Sequence, residues 1–181
     1  MDLTPFKECK AHKQWLFISN ETKSYRPCCW FKTNISADTH DEFEEQLSKL
    51  DIEKNCSVCI KTERDGGKWS PRTHFNDSVS DNPKTYVMTI SLDNICNLKC
   101  VTCSPANSSM IAVEMDDYKE PDFNGRTKKD YIKIQKQAPK KVEFIKDTLK
   151  KVMLDYDYLR IEFLGGEPLI NPATFELIDW K

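Results

Sequence analysis

Three cysteines crowd into eight residues of this chain, Cys96-Asn-Leu-Lys-Cys100-Val-Thr-Cys103, directly after an apolar run, and no cysteine follows them. A structural zinc site takes four protein ligands in a tetrahedron, usually from paired C-x2-C elements. A C-x3-C-x2-C loop without a downstream partner leaves one metal position open, and an open position is where a small molecule can coordinate. The run before the loop, "TYVMTISL" (85–92), alternates and is rich in β-branched residues, so it reads as a strand. The carboxyl end of a strand is where α/β proteins place their chemistry.

Five further cysteines, Cys9, Cys28, Cys29, Cys56 and Cys59, occupy the first third of the 181 residues. The opening "MDLTPFKECKAHKQ" has no apolar stretch long enough for a secretory signal, and nothing later could span a bilayer. The expected compartment is therefore the cytoplasm, where spaced cysteines serve metal or redox chemistry more often than disulfides. A net charge of −2 gives no overall field that would select nucleic acid or anionic lipid.

The two cysteine groups are separated by "KWSPRTHFNDSVSDNPK" (68–84), whose Ser, Asn, Asp and Pro content reads as a linker. This divides the chain into 1–80 and 81–181. In the first part, "QWLFIS" and "SYRPCCWF" read as strands of a hairpin turning at "NETK". A helix over 39–50 and a short one opened by Cys56-Ser-Val-Cys59 follow. In the second part the cysteine loop leads to a helix over 105–115 and a polar surface insertion over 116–138. Next comes an amphipathic helix over 139–156 with Val142, Ile145, Leu149 and Val152 on one face. "YLRIEFL" (158–164) is then a second strand, ending in Gly165-Gly166-Glu167-Pro168. Strand, helix and strand in that order predict a parallel βαβ unit with its functional loops at the strands' carboxyl ends.

With these motifs in place, the second part resembles the radical S-adenosylmethionine enzymes. Their C-x3-C-x2-C signature after the first barrel strand is matched by Cys96, Cys100 and Cys103, and their Gly-Gly-Glu turn after the second strand by Gly165, Gly166 and Glu167. Thr102 stands where many members carry an aromatic residue before the third cysteine. The resemblance implies that the three thiolates hold three irons of a [4Fe–4S] cluster, while the methionine moiety of S-adenosylmethionine chelates the fourth. It further implies one-electron cleavage of the sulfur–C5′ bond to a 5′-deoxyadenosyl radical, with an electron donor of the flavodoxin or ferredoxin kind. The glycines would let the backbone approach the cofactor, and Glu167 would accept from its ammonium.

The first part is similar to the twitch domain, an auxiliary-cluster module of the same superfamily. That likeness implies an auxiliary iron–sulfur cluster on Cys9, Cys28, Cys56 and Cys59, with Cys28 preferred to Cys29 because a proline precedes it. Zinc on the same four cysteines, or with His12 replacing one, is the alternative. A zinc site made by the middle cysteines and a histidine is likewise left open. His40 and His74 read as solvated bystanders.

The fold class expected is an α+β auxiliary-cluster domain followed by the first βαβ of a partial (β/α)6 barrel. The family's later barrel units have no counterpart before Lys181, so a second polypeptide completing the barrel is an expected partner. The function expected is radical chemistry on a peptide, protein or small molecule. A non-catalytic iron–sulfur or zinc scaffold, or half of a split enzyme, is the competing expectation.

Overall fold

The computed structural model describes residues 9–20, 24–78, 84–115, 125–136 and 138–180. In chain order the elements are α1 (Ala11–Gln14), β1 (Trp15–Ile18), β2 (Tyr25–Arg26), α2 (His40–Ser48), α3 (Ile52–Asn55), α4 (Ser57–Arg64) and α5 (Pro71–Ser78). They continue with β3 (Thr85–Ser91), α6 (Ser109–Glu114), α7 (Lys128–Gln135), α8 (Ala138–Asp155), β4 (Tyr158–Leu164), a 3-10 turn (Pro168–Ile170) and α9 (Pro172–Ile178). The result is a mixed α/β chain with a sheet ordered β2-β1-β3-β4.

β3 lies between two neighbours and is buried from Tyr86 to Ser91, which explains its near-continuous apolar sequence. β4 is an edge strand, and Tyr158, Leu159 and Leu164 are exposed on it. The two strands run parallel. The amides of Asp157 and Tyr158 donate to Lys84 O at 2.9 and 3.1 Å where the strands begin, and the Glu167 amide donates to Ile95 O at 2.8 Å beyond their ends. A parallel pair needs a long crossover, here supplied by α6 to α8. Val142, Ile145, Leu149 and Val152 of α8 are all buried, each worth about 2 kcal/mol.

Two compact units interleave along the chain. One comprises Met1–Phe17, Tyr25–Thr89 and Asp147–Glu162; the other comprises Ile18–Ser24, Ile90–Lys146 and Phe163–Lys181. The division expected near residue 80 falls outside the described residues. Within the first unit, Trp15 Nε1 donates to Thr89 Oγ1 at 2.9 Å, and that hydroxyl donates to Glu162 Oε2 at 3.1 Å. Within the second, Ala112, Tyr131 and Ile134 pack α6 against α7.

Several expectations need correction. The stretch read as a linker contains α5, whose Ser70 and Thr73 exchange backbone and side-chain hydrogen bonds at 2.8 and 3.1 Å. Its one apolar anchor, Phe75, is buried and stacks on Trp15 at 4.4 Å. Ser70-Pro71 is a helix start hidden in loop-like composition. Residues 79–83 lie outside the description. The polar insertion likewise contains α7, opened by a Thr127–Asp130 capping box, with Tyr131 and Ile134 buried; residues 116–124 and 137 lie outside it. The helix expected from 105 begins at Ser109, where Ser108 caps it. The second hairpin strand ends at Arg26, because Pro27 has no N–H to extend the ladder. Cys28 and Cys29 therefore sit in a turn closed by the Phe31 amide on Cys28 O at 3.2 Å, rather than on a strand.

Candidate metal centres

The loop after β3 is held from beneath. Asp93 accepts the Ile95 amide at 2.9 Å, and the buried Asn94 donates through Nδ2 to Pro105 O at 2.9 Å. The Cys96 amide donates to Ser109 Oγ at 3.0 Å, and that hydroxyl donates back to Cys96 O at 3.1 Å. Ser108 Oγ donates to Leu98 O at 2.7 Å, and the Cys103 amide to Cys100 O at 2.9 Å. Two serines at the start of α6 thus fix the loop's carbonyls. Asn20, two residues after β1, donates to Ala106 O. Within this frame Cys100 is exposed while Cys96 and Cys103 are half-buried, and the Leu98 amide points at Cys96 Sγ from 3.4 Å.

The glycine turn lies against this loop. The Gly166 amide donates to Asn107 O at 3.0 Å and the Glu167 amide to Ile95 O at 2.8 Å. Gly165 and Gly166 have φ of 73° and 53°, where only glycine is unstrained. A Cβ on Gly165 would stand 2.2 Å from Ser91 Oγ, and one on Gly166 would stand 2.3 Å from Ile95 O. These glycines therefore permit the close approach of the turn to β3's end and to the cysteine loop. Glu167 Oε1 accepts the Leu169 amide at 3.2 Å. A small pocket beside the turn is lined by Asp93, Gly165, Glu167, Asn171 and Thr174 among others.

Sequence reasoning passed over the support of this site. Asp93 and Asn171 are buried, and Asn171 Nδ2 donates to Asp93 Oδ2 at 2.7 Å. Burial pushes the Asp93 carboxyl up, opposed by the Ile95 amide, the Lys141 charge and Asn171. Lys141, also buried, donates to Ser91 O at 3.1 Å and Leu92 O at 2.6 Å. The available signals were a lysine on the apolar face of α8 and an acid directly after a strand.

The early cysteines gather in the other unit. Cys9, His12, Cys28, Cys56 and Cys59 line one recess together with Trp15, Trp30 and Phe31. Burial raises all four thiols, Cys28 and Cys56 to about 12, and neighbouring sulfurs add to the shift at Cys9, Cys28 and Cys56. Backbone amides oppose it, those of Ala11 and His12 at Cys9, of Trp30 at Cys28 and of Arg72 at Cys59. Amides aimed at sulfur are what a thiolate-bound cluster uses to hold its charge. His12 Nε2 is 3.6 Å from Cys56 Sγ. Cys29 lines a neighbouring groove with Trp69 and His74. His40 is buried, contrary to expectation: its ring packs on Phe43 and Tyr86, and its Nε2 meets Glu44 at 3.4 Å. His74 is exposed beside Trp69.

Tetrahedral zinc at 2.3 Å from each sulfur draws thiolates to about 3.8 Å of one another. Among the described residues no three His, Cys, Asp or Glu side chains converge as a single ion requires. A cluster, whose thiolates sit on separate irons, accommodates a wider arrangement. No described helix is long and apolar enough to cross a membrane. Comparison with family models, curated proteins and solved structures returns no match to this chain.

Proposed function

We propose that the chain carries the cluster-binding part of a radical S-adenosylmethionine enzyme. Cys96, Cys100 and Cys103 would hold a [4Fe–4S] cluster, and Gly165, Gly166 and Glu167 would face the cofactor. The observation that supports this reading is the docking of two motifs distant in sequence, through Gly166 N to Asn107 O and Glu167 N to Ile95 O. A zinc knuckle needs no such turn against it. When bound, the cluster and S-adenosylmethionine supply one-electron cleavage of the sulfur–C5′ bond to methionine and a 5′-deoxyadenosyl radical. The chain's own contribution is positional. Ser108 and Ser109 fix the loop's carbonyls, the Leu98 amide donates to Cys96 Sγ, and exposed Cys100 leaves the site open to a ligand. Glu167, beside the pocket, would accept from the cofactor's ammonium.

Cys9, Cys28, Cys56 and Cys59 would hold an auxiliary iron–sulfur cluster, supported by their shared recess and by the amides aimed at three of the sulfurs. Zinc is the competing occupant, and the His12–Cys56 contact is what favours it. The reaction proposed is hydrogen abstraction from a peptide, protein or small molecule, with a flavodoxin- or ferredoxin-like reductant. The test is anaerobic reconstitution with iron and sulfide, then dithionite and S-adenosylmethionine, with 5′-deoxyadenosine and methionine followed by chromatography. Equimolar release of both supports the proposal. Colourless protein holding stoichiometric zinc, with no cofactor binding, contradicts it and leaves the scaffold reading.

A further inference from the structure

Asp93 lies at the junction of β3 and the cysteine loop, buried, with each carboxylate oxygen committed to a different segment. Oδ1 accepts the Ile95 amide at 2.9 Å, inside the loop, and Oδ2 accepts Asn171 Nδ2 at 2.7 Å, beyond the glycine turn. Asn171 is committed as well, since its Oδ1 accepts the Ala173 amide at 2.9 Å and so caps α9. A single side-chain pair therefore ties three things together: the start of the loop, the exit of the turn and the first residues of α9. Lys141 secures the same point from α8 through the Ser91 and Leu92 carbonyls. Both oxygens of Asp93 and both polar atoms of Asn171 are thus engaged by the fold itself, on either side of the two motifs.

We propose that Asp93 and Asn171 form a clamp that keeps the cysteine loop in register with the glycine turn, so that cluster retention depends on this pair as well as on the three thiols. The inference rests on the function proposed above. Asp93 and Asn171 are positioning residues, acting through the Ile95 and Ala173 amides. Hydrogen-bond chemistry then dictates how substitutions behave. Asp93→Asn offers one acceptor where two are needed, so one bond is lost. Asn171→Ser keeps a hydroxyl oxygen to cap Ala173 but loses the Nδ2 amide that reaches Asp93 Oδ2. Asn171→Asp sets two carboxylates face to face. The reciprocal pair Asp93→Asn with Asn171→Asp restores every bond. The amide introduced at position 93 accepts from Ile95 and donates to the carboxylate introduced at position 171, whose other oxygen caps Ala173.

The test uses the full chain, reconstituted anaerobically. Iron loss to a chelator and amide exchange at Ile95 and Ala173 are measured, with circular dichroism to verify folding. Asp93→Asn and Asn171→Ser should lose iron from the cysteine loop about ten times faster, the scale of one charge-assisted hydrogen bond. Ile95 exchange should accelerate with them, and the reciprocal double variant should return both readouts to within about twofold of wild type. Should Asp93→Asn fail to fold, Asn171→Ser and the double variant still decide. Wild-type retention in Asn171→Ser, or a folded double variant as leaky as Asp93→Asn, overturns the clamp. Wild type that takes up no iron on Cys96, Cys100 and Cys103 overturns the proposed function, and the clamp with it.

Discussion

Replacing Gly166 by alanine should unseat the glycine turn from the cysteine loop, and the size of the effect follows from geometry. At φ of 53° an alanine incurs the left-handed penalty of about 1–2 kcal/mol. Its Cβ would also lie 2.3 Å from Ile95 O, a backbone atom of the loop that cannot rotate away. Relief requires the turn to retreat, which gives up the bonds from Gly166 N to Asn107 O and from Glu167 N to Ile95 O, about 1 kcal/mol each. The total is about 3–4 kcal/mol, or a melting temperature lower by roughly 10 °C for a chain of this size. Gly125 is the control. It has φ of 72° with nothing within 4 Å of its would-be Cβ, so Gly125→Ala incurs only the backbone penalty. Thermal melts of both metal-free variants, followed by circular dichroism, make the comparison without requiring any cofactor. If Gly166→Ala melts no lower than Gly125→Ala, the docking of turn on loop is not what these glycines are for.

Lys141→Met should destabilise the chain by about 2–4 kcal/mol in urea melts, because the Ser91 and Leu92 carbonyls lose a buried charged donor; a cost below about 1 kcal/mol would show the lysine to be replaceable packing. Burial lowers the pKa of His40, and Lys151 lowers it further, against the opposing charges of Glu44, Asp147 and Asp41. The folded state therefore prefers the neutral ring, so this contribution to stability is complete above about pH 6.5 and declines as pH falls below it. His40→Asn should show a shallower fall in melting temperature between about pH 7.5 and 5.5, and an unchanged slope would refute the assignment. Cys28→Ser should empty the early site of metal, whereas Cys29→Ser should not, as read by metal content per chain; the recess lined by Cys9, Cys56 and Cys59 includes Cys28 and leaves out Cys29. Equal loss in both variants would make the pair interchangeable.

Where a segment buries a repeating stripe, the sequence announced it. Val142, Ile145, Leu149 and Val152 marked out α8, and the β-branched run of 85–91 marked the central strand. Where a segment is held by one anchor, composition misled: Phe75 in α5 and the Tyr131–Ile134 pair in α7 are too few to rise above polar surroundings. The candidate ligands were legible because cysteine spacing is itself the signal. Their support was not, since an aspartate after a strand and an asparagine after a turn look like loop residues until Asp93 and Asn171 are seen bonded at 2.7 Å. The glycines were read as a site of close approach, and one group that a Cβ on Gly166 would meet is the chain's own Ile95 carbonyl.

The most direct test of the central claim is iron, sulfide and zinc content after anaerobic reconstitution, for wild type and Cys100→Ala. Two [4Fe–4S] clusters predict about eight irons and about eight sulfides per chain, falling by about four of each in the variant. Cys100 is exposed, and its carbonyl, which accepts the Cys103 amide, is kept by alanine, so the variant should fold. Iron unchanged by the substitution, or stoichiometric zinc with little iron in the wild type, would contradict the account.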